Sequence, residues 1–385
     1  MSVPLLEQPR GCASLPPIAL SREIEAAIRA GAWLVFNLSG GKDSTAALFA
    51  AMLHLDAVGH PRERRLAVHA DLGRAEWDET PAMVERISAL AGVPLLVVRR
   101  RAGDLIARWE QRFENGKARY EALSAYNLIG PWSSASLRFC TSEHKAQVIG
   151  PELARRFRGA TIVNVIGIRR DESNSRARTP VSKADERFAK PGNAAGTSML
   201  IWHPIVGWSA EQVFAAHGML GLPLHEAYTR YGSPRLSCRY CVLSSLEGLT
   251  ASASAPGNAD IYRHLVGLEA SSTFSFQPTR WLADVAPHLL PAGLQADIER
   301  ARIDASERRR LEAAMPKGLR YIKGWPPRAP SVMEAEAIAD ARSAILARHG
   351  LANRFTTPCA ILDRFEELLA AKAARRPATR IDAPC

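Results

Sequence analysis

Six consecutive residues, Ser39-Gly40-Gly41-Lys42-Asp43-Ser44, place two hydroxyls, two glycines, a cation and an anion in one short stretch. An apolar run at 34–38 precedes them and a helix-forming run at 44–55 follows, so they mark the passage from a buried strand into a helix N-terminus. Such a junction gathers unpaired backbone N–H groups around the positive end of the helix dipole. Gly40 and Gly41 let phosphate oxygens approach the backbone with no Cβ in the way, and Lys42 adds a full positive charge. Asp43 has a use beside phosphates only when a divalent cation lies between them, because a bare carboxylate would repel the ligand. The chemistry expected of this stretch is a Mg-pyrophosphate cradle.

A Walker A loop is the first alternative, but it needs a glycine four residues ahead of the Gly-Lys pair and Ser or Thr directly after the lysine. Those positions hold Phe36 and Asp43. The stretch instead resembles the SGGKDS pyrophosphate loop of the N-type ATP pyrophosphatases, a superfamily that includes the adenine nucleotide α-hydrolases and the phosphoadenylylsulfate reductases. The resemblance implies ATP and Mg as ligands, with Ser39, Gly40, Gly41, Lys42, Asp43 and Ser44 around the phosphates and Asp43 on the metal.

These residues must be positioned by a scaffold. From residue 32 onward, short apolar runs (34–38, 66–70, 95–99, 161–168, 199–206) alternate with helical ones (44–55, 75–90, 103–123, 142–157, 209–217). Such alternation means an α/β fold, a doubly wound parallel sheet covered on both faces. The resemblance makes it a sheet of the adenine nucleotide α-hydrolase type. In these sheets ligands lie outside the carboxyl ends of the strands. After the second run come His69, Asp71 and Gly73. Asp71 and Gly73 stand where an adenosine would lie, while a lone His69 fits a buried core histidine better than a catalyst. After the fourth run comes Gly167-Ile168-Arg169-Arg170-Asp171-Glu172, followed by Arg176. Three guanidinium groups directly after a strand suit an α-phosphate or a neighbouring oxyanion. The segment resembles the G-x-R-R-D-E-x-x-x-R element of phosphoadenylylsulfate reductases and of the ATP sulfurylase small subunit, which implies that Gly167, Arg169, Arg170 and Arg176 contact nucleotide or oxyanion.

Cysteine use points to metal or redox chemistry. Six cysteines in 385 residues are too scattered for a disulfide framework, and Cys238 and Cys241 alone form a C-x-x-C pair. With Cys140 they give three candidate ligands, and Cys12, Cys359, Cys385 or His144 would have to supply a fourth for zinc. The pattern looks like the [4Fe–4S] ligand set of assimilatory adenylylsulfate reductases with Phe139 in place of one cysteine, which implies a cluster with one open iron or a decayed site. The nucleophilic Glu-Cys-Gly-x-His motif of those reductases is absent.

The net charge of +11 suits anionic partners, either nucleotides or DNA or RNA. The chain has no long apolar run and its first 17 residues hold four prolines, so a cytoplasmic protein with no membrane partner is expected. Three parts are expected: an arm and short helix at 1–30, a nucleotide-binding part at 31–249 carrying the cysteines, and a mostly helical region at 250–385, with loops at 192–198 and 250–258.

An intact loop, the cysteines and the missing reductase motif together look most like the DndC-type DNA phosphorothioation proteins and their phage relatives. That resemblance implies cleavage of ATP to AMP and pyrophosphate, adenylylation of an acceptor, and sulfur transfer to nucleic acid from a sulfur donor protein. The alternatives are a phosphoadenylylsulfate or adenylylsulfate reductase, an ATP sulfurylase small subunit, and a nucleotide-binding module without activity.

Overall fold

The structure is a computed structural model, and residues 15–375 are described. They divide into two compact units: one runs to Leu105 and resumes at Ala135–Asn258, the other comprises Ile106–Ser134 and the chain from Ala259 onward.

The first unit is built on a six-stranded sheet of β1 (Trp33–Asn37), β2 (Arg65–Asp71), β3 (Leu95–Arg99), β4 (Thr161–Val165), β5 (Ser182–Ala184) and β6 (Ser198–Trp202), in the order β3-β2-β1-β4-β6-β5. β1 pairs in parallel with β2 and with β4, opposite Leu66 and Asn164 at Val35. A strand covered on both faces needs a nearly continuous apolar run, and Trp33-Leu34-Val35-Phe36 supplies it. The helix Lys42–Ala57 is apolar around its whole circumference because it is buried on two sides. Phe49 and Met52 join the core against the sheet, while Ala46, Ala47 and Ala50 pack on Trp208, just ahead of the helix Ala210–Met219, and on Val213 within it.

The expected parallel sheet is mostly parallel, with one correction. β5 pairs antiparallel to β6, opposite Trp202 at Ser182, and carries no apolar periodicity from which it could be read. The loop expected at 250–258 is also revised. The helix Leu246–Ser254 starts at a Ser245 cap and buries Leu249, Ala251 and Ala253, so small residues there serve close packing.

The second unit is helical, with Ala259–Ser272, Ala292–Ala314, Val332–Arg348 and Pro358–Ala374. Residues 106–134 belong to it and not to the first unit, because Phe113, Tyr120 and Leu128 pack on Ile345 and Leu346, and Leu123 and Tyr126 on Ile338 and Phe365. Inside this unit the fully buried Glu269 carboxylate accepts the backbone N–H groups of Phe276 (2.7 Å), Leu282 (2.8 Å) and Ala283 (3.1 Å). Burial pushes its pKa up to about 7 against the pull of those donors. Among the described residues no helix is long and apolar enough to cross a membrane.

Candidate functional site

Strand order reverses between β1 and β4, so the two segments leaving their carboxyl ends diverge and open a crevice. One segment is Leu38-Ser39-Gly40-Gly41, which turns into the helix Lys42–Ala57; the other is Ile166-Gly167-Ile168-Arg169. Gly40 takes a positive φ of 72°, a left-handed conformation that a side chain resists. Ser44 fastens the loop: its Oγ donates to the Gly41 carbonyl (2.9 Å) and accepts from the Ser39 N–H (3.2 Å). Gly167 presses against the start of the helix so closely that a Cβ would lie 2.4 Å from the Asp43 carbonyl oxygen and 2.8 Å from Ser44 Cα. The two segments are therefore locked in register by a missing side chain.

Asp43 is the hinge of the charge arrangement. Its Oδ2 accepts from Lys42 Nζ (2.8 Å) and its Oδ1 from Arg169 Nε (2.6 Å), while Arg169 also pairs with Asp171. Lys42 and Arg169 are each only 4% exposed, so this carboxylate neutralises two buried cations. Burial works against the charged form of Arg169, but Asp43 first and Asp171 second more than offset it and raise its pKa. The Lys42 ammonium also lies 5.5 Å from the Phe214 ring centre and 5.7 Å from that of Tyr228. His217 Nε2 donates to the Lys42 carbonyl (2.9 Å), and Tyr228 Oη accepts from the Leu236 N–H (2.9 Å). Burial pushes the Tyr228 hydroxyl up to about 12, so it stays protonated.

A cleft of about 500 Å³ opens above these segments. Ser39, Gly41, Asp43, Ser44, Gly167 and Arg176 of the expected site residues line it. Gly40, Lys42 and Arg169 are not among the lining residues. Arg170 points elsewhere, its exposed guanidinium donating to the Thr179 carbonyl (3.0 Å). Asp71 and Gly73 are also not among the lining residues. Asp71 Oδ1 accepts the Gly73 N–H (2.6 Å) and Oδ2 pairs with Arg99, and Gly73 packs on Asp104. Arg176 reaches the cleft but pairs with Glu172, which caps the Arg169 N–H (2.9 Å).

Several lining residues carry no sequence signal of their own. Arg138, Lys145 and Lys183 present cations that make no ion pair among the described residues, and Tyr228 and Leu236 cover the loop. His69 is the buried, satisfied histidine expected at that strand end, and it also borders the cleft. Its Nδ1 faces the Leu38 carbonyl (2.9 Å) and its Nε2 the Glu76 carboxylate (3.1 Å). Both partners are acceptors, which an imidazolium satisfies with both nitrogens donating. Burial lowers the His69 pKa, but Glu76, the Leu38 carbonyl and Asp71 outweigh it and the net shift is upward. A raised folded pKa gives stability that is complete below about 6.5, the unfolded value, and is lost as pH climbs through the folded one. The melting temperature of the native chain should accordingly exceed that of His69→Gln by several degrees at pH 6, and by much less at pH 9. A difference that does not change with pH would show a neutral ring.

The cysteines are neighbours without forming a ligand set. Arg239 and Tyr240, between Cys238 and Cys241, are buried anchors, with the Arg239 N–H on the Ala75 carbonyl (2.8 Å) and its guanidinium on Asp78. Cys238 is pushed up to about 12 by burial, then by Cys241 and Cys140, with Lys145 opposing. Among the described residues no group of three or more His, Cys, Asp and Glu side chains is already gathered as a metal site. Cys12 and Cys385 lie outside the described residues.

A mostly parallel α/β sheet with a glycine-bearing strand-to-helix loop at its switch point defines the nucleotide-binding type of fold. Residues 33–243, more than half the chain, match the phosphoadenosine phosphosulfate reductase domain, and the chain belongs to that family. Among solved structures it is similar to the phosphoadenylyl-sulfate reductase of Candida auris in its phosphate complex, at 14% identity and a TM-score of 0.34, over 58% of this chain and 98% of that one. A second similarity is to the FMN adenylyltransferase of Candida glabrata, at 16% identity and a TM-score of 0.30, over 54% and 53%. No curated protein matches the sequence.

Proposed function

We propose that the chain cleaves ATP between its α and β phosphates and transfers the adenylyl group to an acceptor. The observation that carries this reading is the complete Ser39-Gly40-Gly41-Lys42-Asp43-Ser44 loop, with Lys42 and Arg169 held on one carboxylate at the switch point. The β and γ phosphates would sit on the loop amides at the helix N-terminus, where an anion is favoured. Lys42 would turn from Asp43 to the phosphates as charge develops on departing pyrophosphate, while Arg138, Lys145 and Lys183 draw the polyanion into the cleft. An acceptor oxygen attacks the α phosphorus, the α–β bond breaks, and pyrophosphate leaves.

Family membership favours a second reading, reduction of a sulfonucleotide. It requires a nucleophilic thiol, and Cys359 is the exposed one among the described cysteines. The two readings separate in one assay. The purified chain is given ATP and Mg, then in parallel phosphoadenylylsulfate and a dithiol, and AMP, pyrophosphate and sulfite are measured. With water standing in for the acceptor, AMP and pyrophosphate in equal amounts support cleavage between the α and β phosphates; sulfite with no pyrophosphate overturns it in favour of the reductase. Sulfur transfer to DNA or RNA from a donor protein extends the first reading, and the acceptor would then become labelled by radioactive sulfur.

A further inference from the structure

The second unit carries a feature that the cleft does not use. After the buried Met315 and Leu319, residues 321–326 fold into a two-residue hairpin, with Ile322 N–H on the Trp325 carbonyl (2.8 Å) and Trp325 N–H on the Ile322 carbonyl (3.1 Å). Its base is anchored: Tyr321 Oη donates to the Leu123 carbonyl (2.8 Å), its ring meets Phe365 edge-on, and Lys372 Nζ donates to the Pro326 carbonyl (3.0 Å). Its tip is free of such cover. Ile322 is 63% exposed, and Lys323 and Gly324 form the turn at φ of 52° and 86°.

Two positive φ values in succession are the conformation in which hairpin turns ordinarily place Asn-Gly. A lysine there is conformationally costly and gains nothing from packing, and an outlier of that kind points to a use for the side chain. The charge along this stretch of sequence is one-sided. Residues 313–333 contain Lys317, Arg320, Lys323 and Arg328 and no Asp or Glu. Arg328 pairs with Glu334, whereas Lys317, Arg320 and Lys323 make no ion pair among the described residues. Trp325, with the Arg375 guanidinium 5.5 Å from its ring centre, flanks the tip.

We infer that this hairpin is a nucleic-acid contact, with Lys317, Arg320 and Lys323 on backbone phosphates and Ile322 against the bases. Three separate cations around one apolar tip match a polymer with regularly spaced charges and apolar faces between them. A membrane surface would call for a broad apolar helix face, which a single isoleucine at a hairpin tip does not provide. The inference is independent of the reaction proposed for the cleft.

The test is fluorescence anisotropy of a labelled 20-mer, duplex and single-stranded, titrated with the full chain between 50 and 200 mM salt. Three phosphate contacts give a slope of log affinity against log salt of about −2.7 on duplex, a loss of about 40-fold over that range. Lys323→Asn keeps a residue that tolerates the left-handed turn, and should reduce the slope by about 0.9. Ile322→Ala should weaken binding several-fold at every salt concentration with the slope unchanged. The melting temperature of each variant confirms folding. Absence of binding by the native chain, a Lys323→Asn slope equal to the native one, or binding to phosphatidylserine vesicles with none to either oligonucleotide would each overturn the inference.

Discussion

Replacing Asp43 by alanine should lower the stability of the first unit by about 3–5 kcal/mol, the cost of breaking a buried ion pair from one side. The figure rests on an asymmetry. Lys42 and Arg169 are both almost completely buried and both donate to this one carboxylate, so its removal strands two cations. Asp171 partly compensates Arg169, but Lys42 keeps only the faces of Phe214 and Tyr228. Urea unfolding followed by far-UV circular dichroism measures the loss. Asp43→Asn should recover part of it, since the amide oxygen can still accept one of the two donors. If the alanine variant unfolds at the native urea concentration, Asp43 is not neutralising two buried charges.

Lys42→Ala should show the opposite balance, a smaller loss of stability and a larger loss of turnover. Removing the lysine leaves Asp43 paired with Arg169, so no isolated charge remains and the destabilisation should be less than half that of Asp43→Ala. For the adenylyl-transfer reading, the lost ammonium is a group aimed at charge that appears on the leaving pyrophosphate. Loss of one such group costs about 10²–10³ in rate. Pyrophosphate release at saturating ATP, measured beside the melting temperature, separates the two effects. Release within tenfold of the native rate would remove Lys42 from the reaction and leave it a structural partner of Asp43.

Much of this arrangement could be read along the chain because it is local. A run such as Trp33-Leu34-Val35-Phe36 has few ways to bury itself other than as a central strand, and Gly40-Gly41 ahead of a helix-forming run marks an anion-binding turn. Gly167 and Arg169 were legible as residues just past a strand. Their contacts were not, since they depend on which strands are neighbours. β4 lies beside β1 although more than a hundred residues separate them, and only that adjacency puts Arg169 on Asp43 and makes a Cβ at Gly167 collide with the loop. Arg170, next in sequence and chemically the same, opens the 3-10 turn Arg170–Glu172 and donates to the Thr179 carbonyl instead.

The same distinction explains the other differences. Asp71 sits at the end of β2 as expected, but its oxygens close a turn with Gly73 and pair with Arg99 on β3, partners that no local pattern announces. His69 reads as a core histidine from its strand and is one, but its partners Leu38 and Glu76 could not be named from the sequence. The sequence by itself determined the fold class, the glycine-bearing strand-to-helix loop and the strand ends to inspect, because propensity and periodicity act between residues a few positions apart. Tertiary structure alone decided that 106–134 packs with the distant helices, that Lys42, Asp43 and Arg169 share one charge balance, and that Tyr228 and Leu236 cover the loop. Those outcomes depend on burial and Coulomb energy between segments that meet only after the chain has folded.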